Sequence, residues 1–214
     1  GEKEILFESC FDYNYFDESS GEFLLDDFEV VERLWHLLDE CDLVVAHNGK
    51  AFDVKTANTR FIYHGLTPPS PYKVIDTLTI ARNNFNFTSN KLEYITKFLG
   101  QTGKLEHEGF GLWKKCLAGD KEAWETMKRY NIQDITELEE LYLEIRGYDS
   151  RHPSVAILNE TPQMACTKCG SHNLEYVKDV FTNVKVFKLY KCEDCGGWSR
   201  SRTGENKKDL LMTQ

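Results

Sequence analysis

The sequence predicts an α/β layered domain followed by a small β module clasped by cysteines, and three observations carry that prediction. Short apolar runs alternate with amphipathic stretches over residues 1–150, the pattern of strands interleaved with helices. The pattern lapses between Gly147 and Ala165, where Pro153 and Pro162 flank a short apolar patch. Beyond the lapse stand Cys166-x-x-Cys169 and Cys192-x-x-Cys195, with 22 residues between the pairs. The expected organisation is a layered domain over 1–150, a linker over 151–163, the cysteine module over 164–204 and a tail over 205–214.

The elements follow in order. Glu4-Ile5-Leu6-Phe7-Glu8-Ser9 reads as a strand, with imperfect alternation. Asp26 and Asp27 offer an N-cap to a helix that carries Phe28, Val31, Trp35 and Leu38 on one face. Leu43 to Ala46 form a buried strand closed by His47-Asn48-Gly49, and a helix follows to about His64, ending at Gly65. Thr67-Pro68-Pro69-Ser70-Pro71 is a loop that no helix could cross. Tyr72 to Ile75 make another short strand, Asp76-Thr77 caps a helix reaching about Asn84, and Asn90 to Leu99 form a helix stopped by Gly100. Gly119-Asp120 marks a stop and a new start, leading into a long helix whose seam runs Trp124, Met127, Asn131, Asp134, Leu138, Leu141 and Ile145. Asp134 thus takes a place where Leu or Val is expected. A carboxylate on a buried face is costly unless a cation, a donor or water meets it. Tyr130, one turn earlier, projects beside it.

Composition narrows the function classes. A chain of 214 residues with 41% hydrophobic and 13% aromatic content can bury a core. No apolar run approaches the roughly 20 residues of a membrane span, and the start is not a signal peptide. The expected location is the cytoplasm. The net charge of −9 is uneven: residues 1–157 hold 17 Lys/Arg against 28 Asp/Glu, and residues 158–214 hold 9 against 7. An acidic body argues against broad binding of duplex DNA, whereas Arg200, Arg202, Lys207 and Lys208 suit phosphate contacts.

The cysteine spacing suits zinc. Each C-x-x-C turn presents two thiolates, and four thiolates complete a tetrahedron with no open position, so one Zn²⁺ would be structural. Gly170 and Gly196 free the backbone to curl, and Leu174 to Phe181 and Val184 to Lys191 alternate like strands turning at Thr182-Asn183. This is the pattern of a zinc ribbon. The competing reading is two disulfides, but Cys10, Cys41 and Cys116 are scattered and unpaired and read as small core residues. His172 reads as a loop histidine.

His47-Asn48-Gly49-Lys50-Ala51-Phe52-Asp53 resembles the second motif of the DnaQ-like 3′–5′ exonucleases of the ribonuclease H-like superfamily, and Tyr130-x-x-x-Asp134 resembles their third motif in its tyrosine subtype. Val74 to Leu78 is similar to the strand-to-helix step between those motifs. The resemblance covers residues 3–146. It implies a ribonuclease H-like layered domain in which four carboxylates hold two Mg²⁺ or Mn²⁺ ions about 3.5–4 Å apart. By this resemblance Asp53 and Asp134 are metal ligands, Tyr130 aims the attacking water, and Asn48 and Phe52 lie on the substrate side. The substrate is the 3′ end of single-stranded DNA or RNA.

The resemblance also implies a first motif, a strand ending in Asp-x-Glu, and the chain has no such strand. Asp27-Phe28-Glu29 has the spelling but opens a helix, where N-capping accounts for it. Ile5 to Phe7 is placed as the third strand of the family sheet, so the domain is expected to be N-terminally truncated and far weaker than an enzyme with all four carboxylates. Bland roles stand beside the functional ones. Asp53 in a first turn suits the helix dipole, Asp76 reads as an N-cap, and Tyr130 could edge the core. Phe110 and Trp113 could stack bases, while Trp124 continues the apolar stripe. The rival function is a non-catalytic nucleic-acid-binding or scaffold protein, with a degenerate nuclease fold and the ribbon as its contact surface for nucleic acid or a protein partner. A proofreading domain cut from a polymerase fits less naturally with a ribbon directly after it.

Overall fold

The computed structural model describes residues 4–13, 16–17, 22–23, 26–101, 109–158 and 163–206. The chain folds as two compact units, Gly1–Arg82 with Phe87–Leu141, and Asn83–Asn86 with Tyr142–Gln214. The tail residues Lys207 and Lys208 lie outside the described residues.

In the first unit a short helix, α1 (Cys10–Tyr13), precedes two antiparallel strands of two residues each, β1 (Phe16–Asp17) and β2 (Glu22–Phe23). The strand expected over Glu4–Ser9 is absent. Ile5 and Leu6 are exposed, and the Ser9 N–H donates to the Asp12 carboxylate at 2.8 Å, turning the chain into α1 instead. A lone extended segment without a pairing strand leaves its backbone groups to water and has nothing to hold it as β.

Helix α2 (Phe28–Glu40) and helix α3 (Asp53–Tyr63) pack through Val31, Ala57 and Phe61, with Trp35, Leu38 and Leu66 around them. Asp26, not Asp27, bonds the start of α2, accepting from the Phe28 N–H at 3.0 Å. The Asp27 carboxylate is taken by the Arg60 guanidinium and by His64, whose Nε2 lies 2.7 Å away. The hydrogen bond from Arg60 holds the Asp27 carboxyl below the usual range, against the upward push of burial.

Between these helices in sequence lies β3 (Leu43–Ala46), paired in parallel with β4 (Lys73–Asp76) in the register Leu43↔Lys73 to Ala46↔Asp76. Parallel pairing brings the carboxyl ends of both strands to one edge. Helix α4 (Thr77–Asn84) leaves β4 directly, and α5 (Leu92–Phe98) ends at Gly100, whose φ of 77° favours glycine.

Helix α6 (Phe110–Leu117) stops before Gly119, and α7 (Lys121–Ile145) starts at Asp120, whose carboxylate accepts from the N–H groups of Glu122 (2.9 Å) and Ala123 (3.1 Å). Leu112, Cys116, Ala123 and Met127 form their shared cluster, with Trp124 and Tyr130 packed against it. The Trp124 indole donates to the Cys116 carbonyl at 2.9 Å, so Trp124 is a packing residue, while Phe110 and Trp113 are exposed. Among the described residues, no helix is long and apolar enough to cross a membrane.

The second unit begins inside α7. A 3-10 turn at Arg146–Tyr148 follows the helix, and Tyr148 meets Phe85 edge-on at 4.9 Å. Tyr142 stacks on His152 and bonds it at 3.0 Å. The Val155 N–H donates to the Thr167 carbonyl at 2.9 Å, and the buried Lys168 ammonium donates to the Asp149 carbonyl. A Cβ on Gly147 would sit 2.5 Å from the Cys195 carbonyl oxygen. Residues 142–158 therefore pack against the cysteine turns, including part of the segment read from sequence as linker.

The rest of this unit is an antiparallel sheet in the order β5 (Leu174–Phe181), β6 (Lys185–Cys192), β7 (Trp198–Arg200), with β8 (Glu205–Asn206) also on β6. The turn at Thr182-Asn183 stands where the sequence places it. A bulge interrupts β5 between Tyr176 and Lys178.

Candidate functional site

Residues 47–53 fold around one turn between the carboxyl end of β3 and the start of α3. Asn48 takes a left-handed conformation, with φ of 71°, and its carbonyl accepts from the N–H groups of Ala51 (3.2 Å) and Phe52 (3.1 Å). Asn tolerates that region better than most side chains. Gly49 must be glycine for lack of space, since a Cβ there would lie 2.3 Å from the Ala46 Cβ. The Asp53 carboxylate folds back over this glycine, its Oδ2 3.7 Å from the same added Cβ position. Asp53 is exposed in the first turn of α3 and Phe52 is 64% exposed beside it.

A buried carboxylate and a half-buried imidazole fix the turn from behind. Asp76, at the end of β4, accepts from the N–H groups of Asn48 (3.0 Å) and Lys50 (3.2 Å), and also from Leu78 (3.1 Å) and Thr79 (3.4 Å) at the start of α4. One carboxylate thereby caps a helix and staples the neighbouring loop. His47 lies between Thr77 Oγ1 and the Asn90 carbonyl, each at 2.9 Å. A carbonyl can only accept, so Nε2–H donates to Asn90. Burial pushes the His47 imidazole below its ordinary pKa, against the opposing pulls of the Asn90 carbonyl and the Asp76 charge. Asp76 fulfils its expected capping role, but its hold on the Asn48 loop was not legible, because that contact joins positions 28 residues apart in sequence.

Asp134 stands on α7 and is half-buried, as its place in the seam requires. Among the described residues, no donor and no cation meets its carboxylate. Tyr130 is half-buried one turn earlier, against the cluster shared by α6 and α7. Glu137 is a more deeply buried carboxylate on the same helix. At 4% exposure it accepts from Gln133 Nε2 at 2.8 Å and from Thr96 Oγ1 of α5 at 3.4 Å, so its partners are supplied by protein. Sequence reasoning missed it because the seam seemed to step from Asp134 to Leu138, leaving Glu137 to solvent.

Asp53, Tyr130 and Asp134 share the first unit. Among the described residues, no group of three or more His, Cys, Asp or Glu side chains with ligand atoms within 4.8 Å of one another includes Asp53 or Asp134. The oxygen-only donors suit Mg²⁺ or Mn²⁺, but two carboxylates fall short of what a pair of such ions needs. Asp27 lies in a group with Asp26 and His64, and its carboxylate is engaged by Arg60 and His64.

The four cysteines of the second unit do converge. All four Sγ atoms lie within 4.8 Å of one another, and the pairs Cys166–Cys195 and Cys169–Cys192 are each 3.6 Å apart. A tetrahedron with metal–sulfur bonds of about 2.3 Å has edges of about 3.8 Å, so the spacing fits a single soft cation. Each turn closes by a backbone bond of 2.9 Å, Gly170 N–H to Cys166 O and Gly196 N–H to Cys192 O, with φ of 74° and 67° at the two glycines. Burial pushes the Cys169 and Cys195 thiols up. Burial opposes the Cys166 thiolate as well, but the N–H groups of Lys168 and Cys169 together with the Cys195 and Cys169 thiols outweigh it and hold that thiol below the ordinary range. His172 is exposed and bonds the Met164 carbonyl, as a loop histidine would.

Comparison with known families gives one finding: the model of the RNase H superfamily matches residues 4–146. No curated protein sequence matches the chain closely enough to be called a relative.

Proposed function

The chain belongs to the RNase H superfamily, and on that premise we propose that it is a metal-dependent 3′–5′ exonuclease of the DnaQ-like kind, acting on single-stranded DNA or RNA ends. Members of this superfamily usually hydrolyse phosphodiester bonds, and the fold points to nucleic acid as substrate. The observation that carries the finer reading is Asp134, a half-buried carboxylate with no protein donor or cation to meet it among the described residues. A buried charge persists where something positive is bound or water reaches it. Asp53 supports it from the carboxyl end of a parallel strand pair, the edge at which such sheets gather their ligands.

In this reading Asp53 and Asp134 hold Mg²⁺ or Mn²⁺, which when bound supplies a nucleophilic water near neutral pH and charge to steady the reacting phosphate. Tyr130 directs a hydrogen bond toward that water, Asn48 and Phe52 face the terminal nucleotide, and Asp76 and His47 keep their loop in register. The four cysteines hold one structural Zn²⁺ in a ribbon, a reading supported by their near-tetrahedral spacing. A zinc-holding set of four thiolates suits a reducing, cytoplasmic setting.

A second reading, a non-catalytic nucleic-acid-binding or scaffold protein, is favoured by one observation: among the described residues, Asp53 and Asp134 belong to no three-membered ligand group. Cleavage of a 5′-labelled single strand separates the two. The protein supplied with an N-terminal Asp-x-Glu strand should shorten the strand from its 3′ end with Mn²⁺, releasing 5′-mononucleotides. Asp134→Ala should abolish this, and Tyr130→Phe should slow it less, since it removes one hydrogen bond and leaves the ligands in place. An unchanged rate in Asp134→Ala removes the exonuclease assignment.

A further inference from the structure

The sheet of the second unit separates its side chains into two chemically different faces. Residues opposite one another across antiparallel strands share a face, and the face alternates along each strand. The pairs Lys178↔Leu189 and Leu189↔Arg200 make one row across β5, β6 and β7, and Glu175↔Lys191 and Lys191↔Trp198 make the next. Val180↔Phe187 lies beyond, with Lys185 on the same side of β6. This face therefore carries four cations, Lys178, Lys185, Lys191 and Arg200, against the single acid Glu175. The opposite face carries Lys188 against Asp179 and Glu205, by the pairs Asp179↔Lys188 and Val186↔Glu205.

The cations are available. Among the described residues, none of the three lysines on the basic face enters an ion pair. Lys178, Lys185 and Arg200 are exposed. The Arg200 guanidinium lies 4.4 Å from the centre of the Phe187 ring, which holds it in place while leaving its donors free. Trp198 is 47% exposed at the edge of this array.

We propose that this face of the β5–β6–β7 sheet binds single-stranded nucleic acid, with Lys178, Lys185, Lys191 and Arg200 on the phosphates and Trp198 stacked on a base. Fixed cations interleaved with an exposed aromatic suit a polyanion that also offers flat rings. The charge contrast with the acidic residues 1–157 directs such a strand to this surface and not broadly over the chain. The choice of nucleic acid over another polyanion rests on the nuclease reading, but binding here needs no cleavage.

The test is fluorescence anisotropy of a labelled oligothymidylate with the full zinc-loaded chain, without added Mg²⁺ or Mn²⁺, across a series of salt concentrations. Trp198→Ala should weaken binding about 5- to 150-fold, and Trp198→Phe should restore most of it, because a ring still stacks. Joint reversal of Lys178, Lys185 and Arg200 to Glu should flatten the salt slope by about 2, near 0.7 for each lost phosphate contact. Lys188→Glu on the other face should change affinity by less than about twofold, within the range of a lone surface substitution. Unchanged affinity in both the Trp198→Ala and the triple-Glu proteins overturns the proposal, as does a wild-type chain that binds no strand; a face serving a protein partner gives that result. A protein supplied with the Asp-x-Glu strand that binds as described but never cleaves when Mn²⁺ is added removes the nuclease reading alone.

Discussion

Replacing Asp76 with Ala removes one carboxylate and leaves the N–H groups of Asn48, Lys50, Leu78 and Thr79 without their acceptor. The first three bonds are 3.0–3.2 Å long, and the fourth is marginal at 3.4 Å. A hydrogen bond to a charged group contributes about 1.5–3 kcal/mol net, and a buried donor left unpaired costs about 1–3 kcal/mol. Asn48 and Lys50 are exposed residues whose amides water can partly re-satisfy, whereas Leu78 is buried. The expected cost is about 3–5 kcal/mol, at the high end for a single substitution. Asp76→Asn should cost less, about 1–2 kcal/mol, because Oδ1 keeps its three donors and only the Lys50 N–H meets an amide in place of Oδ2. Urea unfolding measures the loss, and amide hydrogen exchange localises it to Asn48, Lys50 and Leu78. A loss below about 1 kcal/mol for Asp76→Ala, or unchanged exchange at Asn48 and Lys50, would refute the stapling argument.

Three further outcomes follow from the same geometry. Gly49→Ala should destabilise by about 1–3 kcal/mol, the range for a forced overlap, because its methyl group would lie 2.3 Å from the Ala46 Cβ; a neutral melting temperature would show that the turn relaxes freely. His47 is held below its ordinary value of 6.5, so the neutral ring is favoured by folding, its contribution is present above pH 6.5 and it fades as pH falls through the lower folded value; His47→Gln should remove that part of the slope in melting curves taken across this window. Strong chelation under reducing conditions should release one Zn²⁺, expose four thiols to a thiol reagent and strip amide protection from Gly170, Gly196 and Val155, since residues 142–158 pack on the cysteine turns; zinc-free protein with full protection, or native disulfides by mass spectrometry, would contradict this.

Much of the fold was legible where local chemistry decides it. Leu43 to Ala46, the glycine stops at Gly65 and Gly100, the Asp120 cap and the hairpin about Thr182-Asn183 all stand where their residue types place them, because caps, turns and apolar runs act over a few positions. The cysteine cluster was legible for the same reason. The segment Glu4–Ser9 was misread because a strand depends on a partner that its own residues do not specify. In the candidate site, Asn48, Phe52 and Asp53 were singled out through the resemblance of residues 47–53 to a family motif, and the turn that they share follows from the local chemistry of Asn48 and Gly49. The long-range hold of Asp76 and the burial of Glu137 against Thr96 were not legible, since both come from contacts between elements distant in sequence. The two units also divide inside α7, where an unbroken helical pattern gives no sign of a boundary.

The central claim is that Asp53 and Asp134 serve one divalent-metal site, and a Mn²⁺ titration followed by electron paramagnetic resonance tests it without requiring turnover. The zinc-loaded chain should bind Mn²⁺ weakly, in the millimolar range expected of an incomplete carboxylate set. Asp53→Ala and Asp134→Ala should each loosen that binding at least about tenfold, roughly the 1.4 kcal/mol that one lost ligand removes. The double variant should bind at least as weakly as either alone, and Asp120→Ala, which removes a helix cap, should leave the titration unchanged. Mn²⁺ affinity that survives either single substitution, or single variants that each lose one class of sites while another keeps its affinity, would contradict a shared site and with it the exonuclease account.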